Sequence, residues 1–328
     1  MNPFDPRRAF RRRPPLAQDK PHRREFLAGA LGLCASGLWP HRLPAQHSKT
    51  RLILLGTGGG PRPRAATSAP AQVIIANGVP YVVDCGDGVS RQLVTAGVPL
   101  PTLRHIFITH QHSDHNADYG NLIWLAWASG LRTQVDAWGP PPLAQMSRLF
   151  FEMNAFDINT RIADEGRVSP VSLVRTHEVT GGGVVLQDAN VKVTAAVVNH
   201  PPIQHAFAYR FDAHDRSIVI SGDTAVSKNL IALAQGADVL VHEALWVAAV
   251  DGIVAKIPNA TTLKQHIIDS HTSAEDCGRV AAAAGVKSLV LSHLVPSDDQ
   301  AITERMWIDA AKKHFRGTVI VGKDLMEI

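Results

Sequence analysis

The sequence predicts a single α/β domain of about 280 residues, and three observations lead there. Short apolar runs alternate with helical stretches from residue 51 to the end. Several of those runs are continuous Val, Ile and Leu, the composition of strands buried on both faces. No linker-like tract and no internal repeat interrupts residues 51–328. With 45% hydrophobic and 19% charged residues, the 328-residue chain has ample core material, which excludes wholesale disorder and a fibrous repeat.

Taken in order, residues 1–46 come first and stand apart from the domain. Arg23-Arg24-Glu25-Phe26-Leu27 leads into an apolar run that ends at Trp39. A charged stretch, an arginine pair and about a dozen apolar residues read as an export signal of the twin-arginine type, too short for a ~20-residue membrane span. Cleavage is expected near Ala45; Cys34, preceded by Leu33, makes a poor lipid-attachment site. The expectation is therefore a periplasmic or secreted protein that engages the twin-arginine export machinery and has no stable membrane span. The segment holds nine basic and three acidic residues, leaving 24 basic against 26 acidic in the rest. The formal +4 of the whole chain thus belongs to the signal, and the remaining −2 argues against a nucleic-acid partner.

Strands are expected at 51–55, 71–75, 81–83, 106–109, 191–198, 218–220, 239–241, 289–291 and 319–321. Gly56-Thr57-Gly58-Gly59-Gly60 follows the first of them. A phosphate-binding turn would need a helix next, and Pro61 and Pro63 stand there instead, so a tight loop at the rim of a site is expected. The clearest helix opens at Thr272-Ser273-Ala274-Glu275, with capping-box spacing, and stops at Gly285. Cys85 closes an apolar strand and Cys277 sits in that helix, which favours two buried thiols over a disulfide.

The chemistry concentrates in Thr109-His110-Gln111-His112-Ser113-Asp114-His115, directly after a strand. Three imidazoles and a carboxylate at this spacing suit zinc and related first-row metals. Because residues at a strand end splay, His110 and His112 can face one metal while Asp114 and His115 face another. Further polar residues leave apolar strands at His200, Asp223 and His293, with His205 competing with His200.

With these residues in this order, the chain resembles the metallo-β-lactamase superfamily over nearly all of residues 51–328. The resemblance implies a four-layer αββα sandwich with two divalent metal ions at the edge of its sheets, zinc first, manganese or iron as alternatives. It implies that His110, His112 and His200 hold the first metal, that Asp114, His115 and His293 hold the second, and that Asp223 bridges them. Asp84 matches the family's aspartate that hydrogen-bonds within the ligand loop. His242-Glu243-Ala244 and His271-Thr272-Ser273 resemble paired motifs of the ribonuclease Z-like and arylsulfatase-like branch, which implies catalytic roles for Asp114, His271 and Glu243. His271 would protonate the leaving oxygen and Glu243 would orient it, while His242 would be structural.

Two enzymes share this pattern. Residues 131–190 carry five Arg, no Lys and seven acidic residues, so they offer no basic arm for RNA. The apolar stretches 149–156 and 245–250 could wall a pocket for an aryl group. The expectation is an arylsulfatase-like hydrolase of small sulfate or phosphate esters, with a small-molecule ester substrate, no nucleic acid and room for a homodimer. The alternatives are a ribonuclease Z-like phosphodiesterase and a lactone or β-lactam hydrolase. A non-catalytic metal-binding scaffold is disfavoured, because no ligand of the pattern is missing.

Overall fold

The computed structural model describes residues 49–328; the export reading of residues 1–46 lies outside the described residues. Strands β1 (Arg51–Gly56), β2 (Ala71–Ala76), β3 (Val79–Val83), β4 (His105–Phe107), β5 (Val135–Gly139) and β6 (Val174–Glu178) form one sheet in chain order. The first three are antiparallel and the last four run parallel. Strands β7 (Gly183–Gln187), β8 (Val191–Val197), β9 (Phe207–Ala213), β10 (Ser217–Ile220), β11 (Val239–Leu245), β12 (Ser288–Val295) and β13 (Thr318–Val321) form the second sheet, also in sequence order. There the antiparallel part is β7–β10 and the parallel part β10–β13.

Helices α1 (Val89–Thr95), α2 (Ser113–Asn116), α3 (Tyr119–Ala128), α4 (Leu143–Met153) and α5 (Ala155–Glu165) fall within the first half. Helices α6 (Lys228–Leu233), α7 (Val250–Val254), α8 (Leu263–Ser270), α9 (Ala274–Ala284) and α10 (Glu304–Lys312) fall within the second. One core packs Leu122, Ile123 and Trp127 of α3 and Phe151 of α4 on the first sheet. Another packs Cys277, Val280 and Ala281 of α9 and Trp307 of α10 on the second. Between the sheets lies a third, in which Phe107 stacks on Trp138 at 4.9 Å and meets Phe211 edge-on at 5.2 Å. Helix, sheet, sheet, helix is the four-layer sandwich expected. Cys85 and Cys277 are both buried free thiols, as expected.

Every expected strand is present with ends shifted by a few residues, and the strands at β5, β6, β7 and β9 were not foreseen. The helix expected to open at Thr272 is capped at Ser273 and starts at Ala274. Ser273 is the cap, its Oγ accepting from the Asp276 N–H at 3.1 Å and donating to Asp276 Oδ2 at 2.6 Å. Thr272 is unavailable for that role because its N–H donates to Glu243 and its hydroxyl to the Thr224 carbonyl.

The carboxyl ends of parallel strands in both sheets point to one edge, the place where open α/β sheets put their sites. The sheets are tied there by Phe207 N–H donating to Thr109 O at 2.9 Å and Tyr209 hydroxyl donating to Ile108 O at 3.0 Å.

Candidate active site

Asp84 follows β3 and builds the site from below. It sits at φ +61°, a left-handed conformation that aspartate tolerates better than most residues. Its Oδ1 accepts from the Thr109 N–H at 2.8 Å, and Oδ2 lies 2.8 Å from His115 Nδ1. One carboxylate thereby fixes both the loop after β4 and the His115 ring, leaving His115 Nε2 free to face the site.

His110, His112 and His200 converge. His112 Nδ1 is 3.0 Å from His110 Nε2 and 3.1 Å from His200 Nε2, and the ligand atoms of these three and Asp223 lie within 4.8 Å of one another. His200 donates its other ring nitrogen, Nδ1, to the Ser270 carbonyl at 2.9 Å. His205, the competitor in sequence, packs parallel to Phe207 and belongs to neither cluster.

A second cluster joins Asp114 and His115 of α2 to His293 and Asp223. Its spacings are 3.6 Å for His115 Nε2 to Asp114 Oδ2, 3.3 Å to Asp223 Oδ1, and 3.2 Å for His293 Nε2 to Asp223 Oδ2. Asp223 is common to both clusters. It is aimed by Gly222 at φ +59°, where a Cβ would stand 2.7 Å from the Phe207 carbonyl and 3.0 Å from Thr109 Cβ. The Gly-rich loop is the expected rim: the Gly60 N–H donates to Asp114 Oδ2 at 2.9 Å, and a Cβ on Gly59 would press on the His293 ring.

Protonation in the first cluster suits a cation. Burial, with His200 nearby, pushes His112 down to about 4, and burial pushes His110 well below the ordinary imidazole value. Both therefore offer lone pairs at neutral pH. Burial would raise the Asp223 carboxyl, but His293 and His115 outweigh it and hold it well below the usual range. Burial also lowers His271, yet Glu243 overcomes this and lifts it to about 9. The donor set fits two divalent metals on a further count: His115 Nε2 and Asp223 Oδ1 are buried without hydrogen-bond partners.

Glu243 lies near the carboxyl end of β11, where the pairing with β12 shifts register, beside this centre. Its Oε1 accepts from Thr272 N–H at 2.9 Å and Thr224 N–H at 3.2 Å and lies 3.3 Å from His271 Nδ1. His271, at the end of α8, stacks on His293 with ring centres 5.6 Å apart. Buried His242 instead donates Nδ1 to the Glu243 carbonyl at 2.7 Å, a structural contact.

The cavity over the clusters has a volume of about 270 Å3. Neither apolar stretch named from the sequence lines it. Phe151 is in the core, Phe156 is exposed, and Trp246 packs on Trp307. The apolar wall comes from Ile253, Ile257, Leu263 and Ile267, with His266 beside them. Sequence reasoning missed these residues because aliphatic residues on short helices and the loop that joins them carry no motif.

The Beta-lactamase superfamily domain matches residues 81–294. A protein named ribonuclease Z from Mycobacterium avium is 34% identical over 280 residues, covering 84% of this chain and 97% of the relative. One of the same name from Mycobacterium bovis is 31% identical with the same coverage. Among solved structures, the metallo-β-lactamase fold protein YhfI from Bacillus subtilis matches with a TM-score of 0.63 at 21% identity, covering 85% of this chain and 98% of its own. The short form of human tRNase Z matches with a TM-score of 0.61 at 22% identity and the same coverage.

These relatives overturn the expected arylsulfatase-like reaction, the small-molecule ester substrate and the exclusion of nucleic acid. The net charge left after subtracting residues 1–46, and the acidic balance of residues 131–190, were poor guides because net charge averages over surfaces away from the site. The coarser expectation stands: this is a metal-dependent hydrolase, with His/Asp clusters for two divalent ions. The fold, the two clusters and the shared sequence together place the chain in the metallo-β-lactamase superfamily, on its ribonuclease Z-like branch.

Proposed function

We propose that the protein is an endoribonuclease, a phosphodiesterase of the ribonuclease Z type. The observation that carries this is the full-length similarity to proteins named ribonuclease Z in a chain that keeps the Glu243–His271 pair against both clusters. The residues that would hold the metals are His110, His112 and His200 on one side and Asp114, His115 and His293 on the other, with Asp223 shared. Zinc is the metal of choice for this imidazole-carboxylate set, with manganese or iron as substitutes. Two bound cations would supply Lewis acidity and offset the charge that develops on phosphate.

The chain's own groups do the rest. Asp114, held by the Gly60 N–H, orients the attacking water. His271 gives its proton to the departing ribose oxygen, and Glu243 holds the imidazole in place while its own carboxylate is fixed by two backbone N–H groups. The test is cleavage of a structured RNA with a 3′ extension by the zinc- or manganese-loaded full chain. Cutting at one internal bond is expected, with His271→Ala slower by about 10²- to 10⁴-fold. An intact RNA, or an unimpaired His271→Ala variant, sinks the reading.

Residues 1–46 are proposed to be a twin-arginine signal, so that the domain of residues 51–328 works in the periplasm or outside the cell. The Arg23-Arg24 pair before the apolar run supports this. Cell fractionation checks it: Arg23→Lys with Arg24→Lys should hold the protein in the cytoplasm, and an unchanged distribution would refute the signal. An exported enzyme would meet RNA outside the cytoplasm, so fractionation also selects the pool of RNA on which it acts.

A further inference from the structure

We propose that α7, α8 and the loop between them form a nucleobase subsite: the base adjoining the scissile phosphate enters the cavity against Ile253, Ile257, Leu263 and Ile267, with His266 at its edge. The inference rests on the RNA reading above and names the part of the substrate that the phosphate chemistry leaves unexplained.

The cavity has two unlike sides. Asp114, Asp223, His271 and His293 line one, and aliphatic side chains line the other. The aliphatic side belongs to neither face of the sandwich. Helices α7 and α8 rest on Leu245 and Val295, at the ends of β11 and β12, through a small cluster of their own that includes Val250 and Ile267. Clusters and general acid already satisfy a phosphodiester, which gains nothing from isoleucine. Ile257 is 38% exposed, and Ile253 and Leu263 are half-buried, so part of this aliphatic wall is open to whatever enters the cavity.

A nucleotide supplies what both sides ask for, a charged phosphate and, one sugar away, a flat ring with apolar faces and a polar edge. At about 270 Å3 the cavity lies at the small end of ligand pockets, which run roughly 300–1,000 Å3, a size that suits a single nucleotide. Splayed single bases packed between apolar or aromatic side chains are how proteins commonly take hold of RNA. His266 stands where the two sides meet, its ring centre 5.8 Å from that of His112 and 6.3 Å from that of His271, and it is a member of neither metal cluster. Because the wall is aliphatic, it accepts the face of any base, and little preference among bases is expected.

Isothermal titration of the zinc-loaded full chain with adenosine 5′-monophosphate, cytidine 5′-monophosphate and ribose 5-phosphate tests the subsite without turnover. Both nucleotides should bind about tenfold more tightly than the sugar phosphate. In Ile253→Ser/Ile257→Ser that advantage should vanish, and in His266→Ala it should shrink about threefold. Equal binding of all three by the unaltered protein overturns the proposal whether or not the variants fold, and so does an advantage that survives the double substitution. RNA cleavage separates the two readings. Nucleotide preference without RNA cleavage refutes the reaction and leaves the subsite standing; RNA cleavage without nucleotide preference refutes the subsite alone.

Discussion

Asp84 shows how much one side chain can organise. It fixes Thr109 with one oxygen and His115 with the other, and it accepts a left-handed backbone to do so, a strain of order 1–3 kcal/mol. Asp84→Asn keeps the shape but turns one acceptor into a donor beside His115. Metal retention under chelator competition should fall about 10- to 100-fold, and unchanged retention would contradict this role. Most of the site was legible residue by residue, because the loop from His110 to His115 is local and its spacing carries the chemistry. His200 and Asp223 were readable only as polar residues leaving apolar strands. His266 was not readable at all, since its place depends on how α8 packs rather than on any spacing to His271.

At the scale of elements, strand ends do the positioning, and caps and clamps hold them. Ser273 begins α9 immediately after the site, and Ser273→Ala should cost about 1 kcal/mol in denaturant unfolding. No loss would mean that the cap contributes nothing. Asp238, at the foot of β11, binds Lys287 and the Ser217 N–H and hydroxyl, tying β10 to the approach to β12. The Lys287 contact first, then the Ser217 bonds, draw its carboxyl down to about 2. A depressed carboxylate stabilises the fold above its unfolded value, and that contribution disappears as pH falls through about 2. Asp238→Asn should therefore lose stability at neutral pH and show a flatter acid limb between about pH 4 and 2. Because Lys287 is largely exposed, salt should weaken only its share. An acid limb as steep as that of the unaltered protein would count against the clamp. Strands made of Val, Ile and Leu were legible as runs, whereas buried β5 and β9, which mix aromatic residues with Asp and Arg, and β6 and β7, more exposed at the sheet edges, gave no such run.

For the whole molecule, the sandwich followed from the order of the motifs, and the substrate did not follow from the charge. Subtracting residues 1–46 leaves a mildly acidic domain, which spoke against RNA, but binding a phosphodiester depends on the field in one cavity. The site brings seven ligand candidates, a carboxylate-paired imidazole and, lining the cavity above them, an aliphatic wall together from both sheets and from the segment that spans α7 and α8. No stretch of sequence holds more than part of it. The central claim is that this assembly cuts RNA with two divalent ions. Its most direct test follows RNA cleavage while zinc is added back to the chelated full chain. Cleavage should rise from nothing and level off at two equivalents per chain; cleavage by the metal-free protein, or none at any zinc level, would contradict the account.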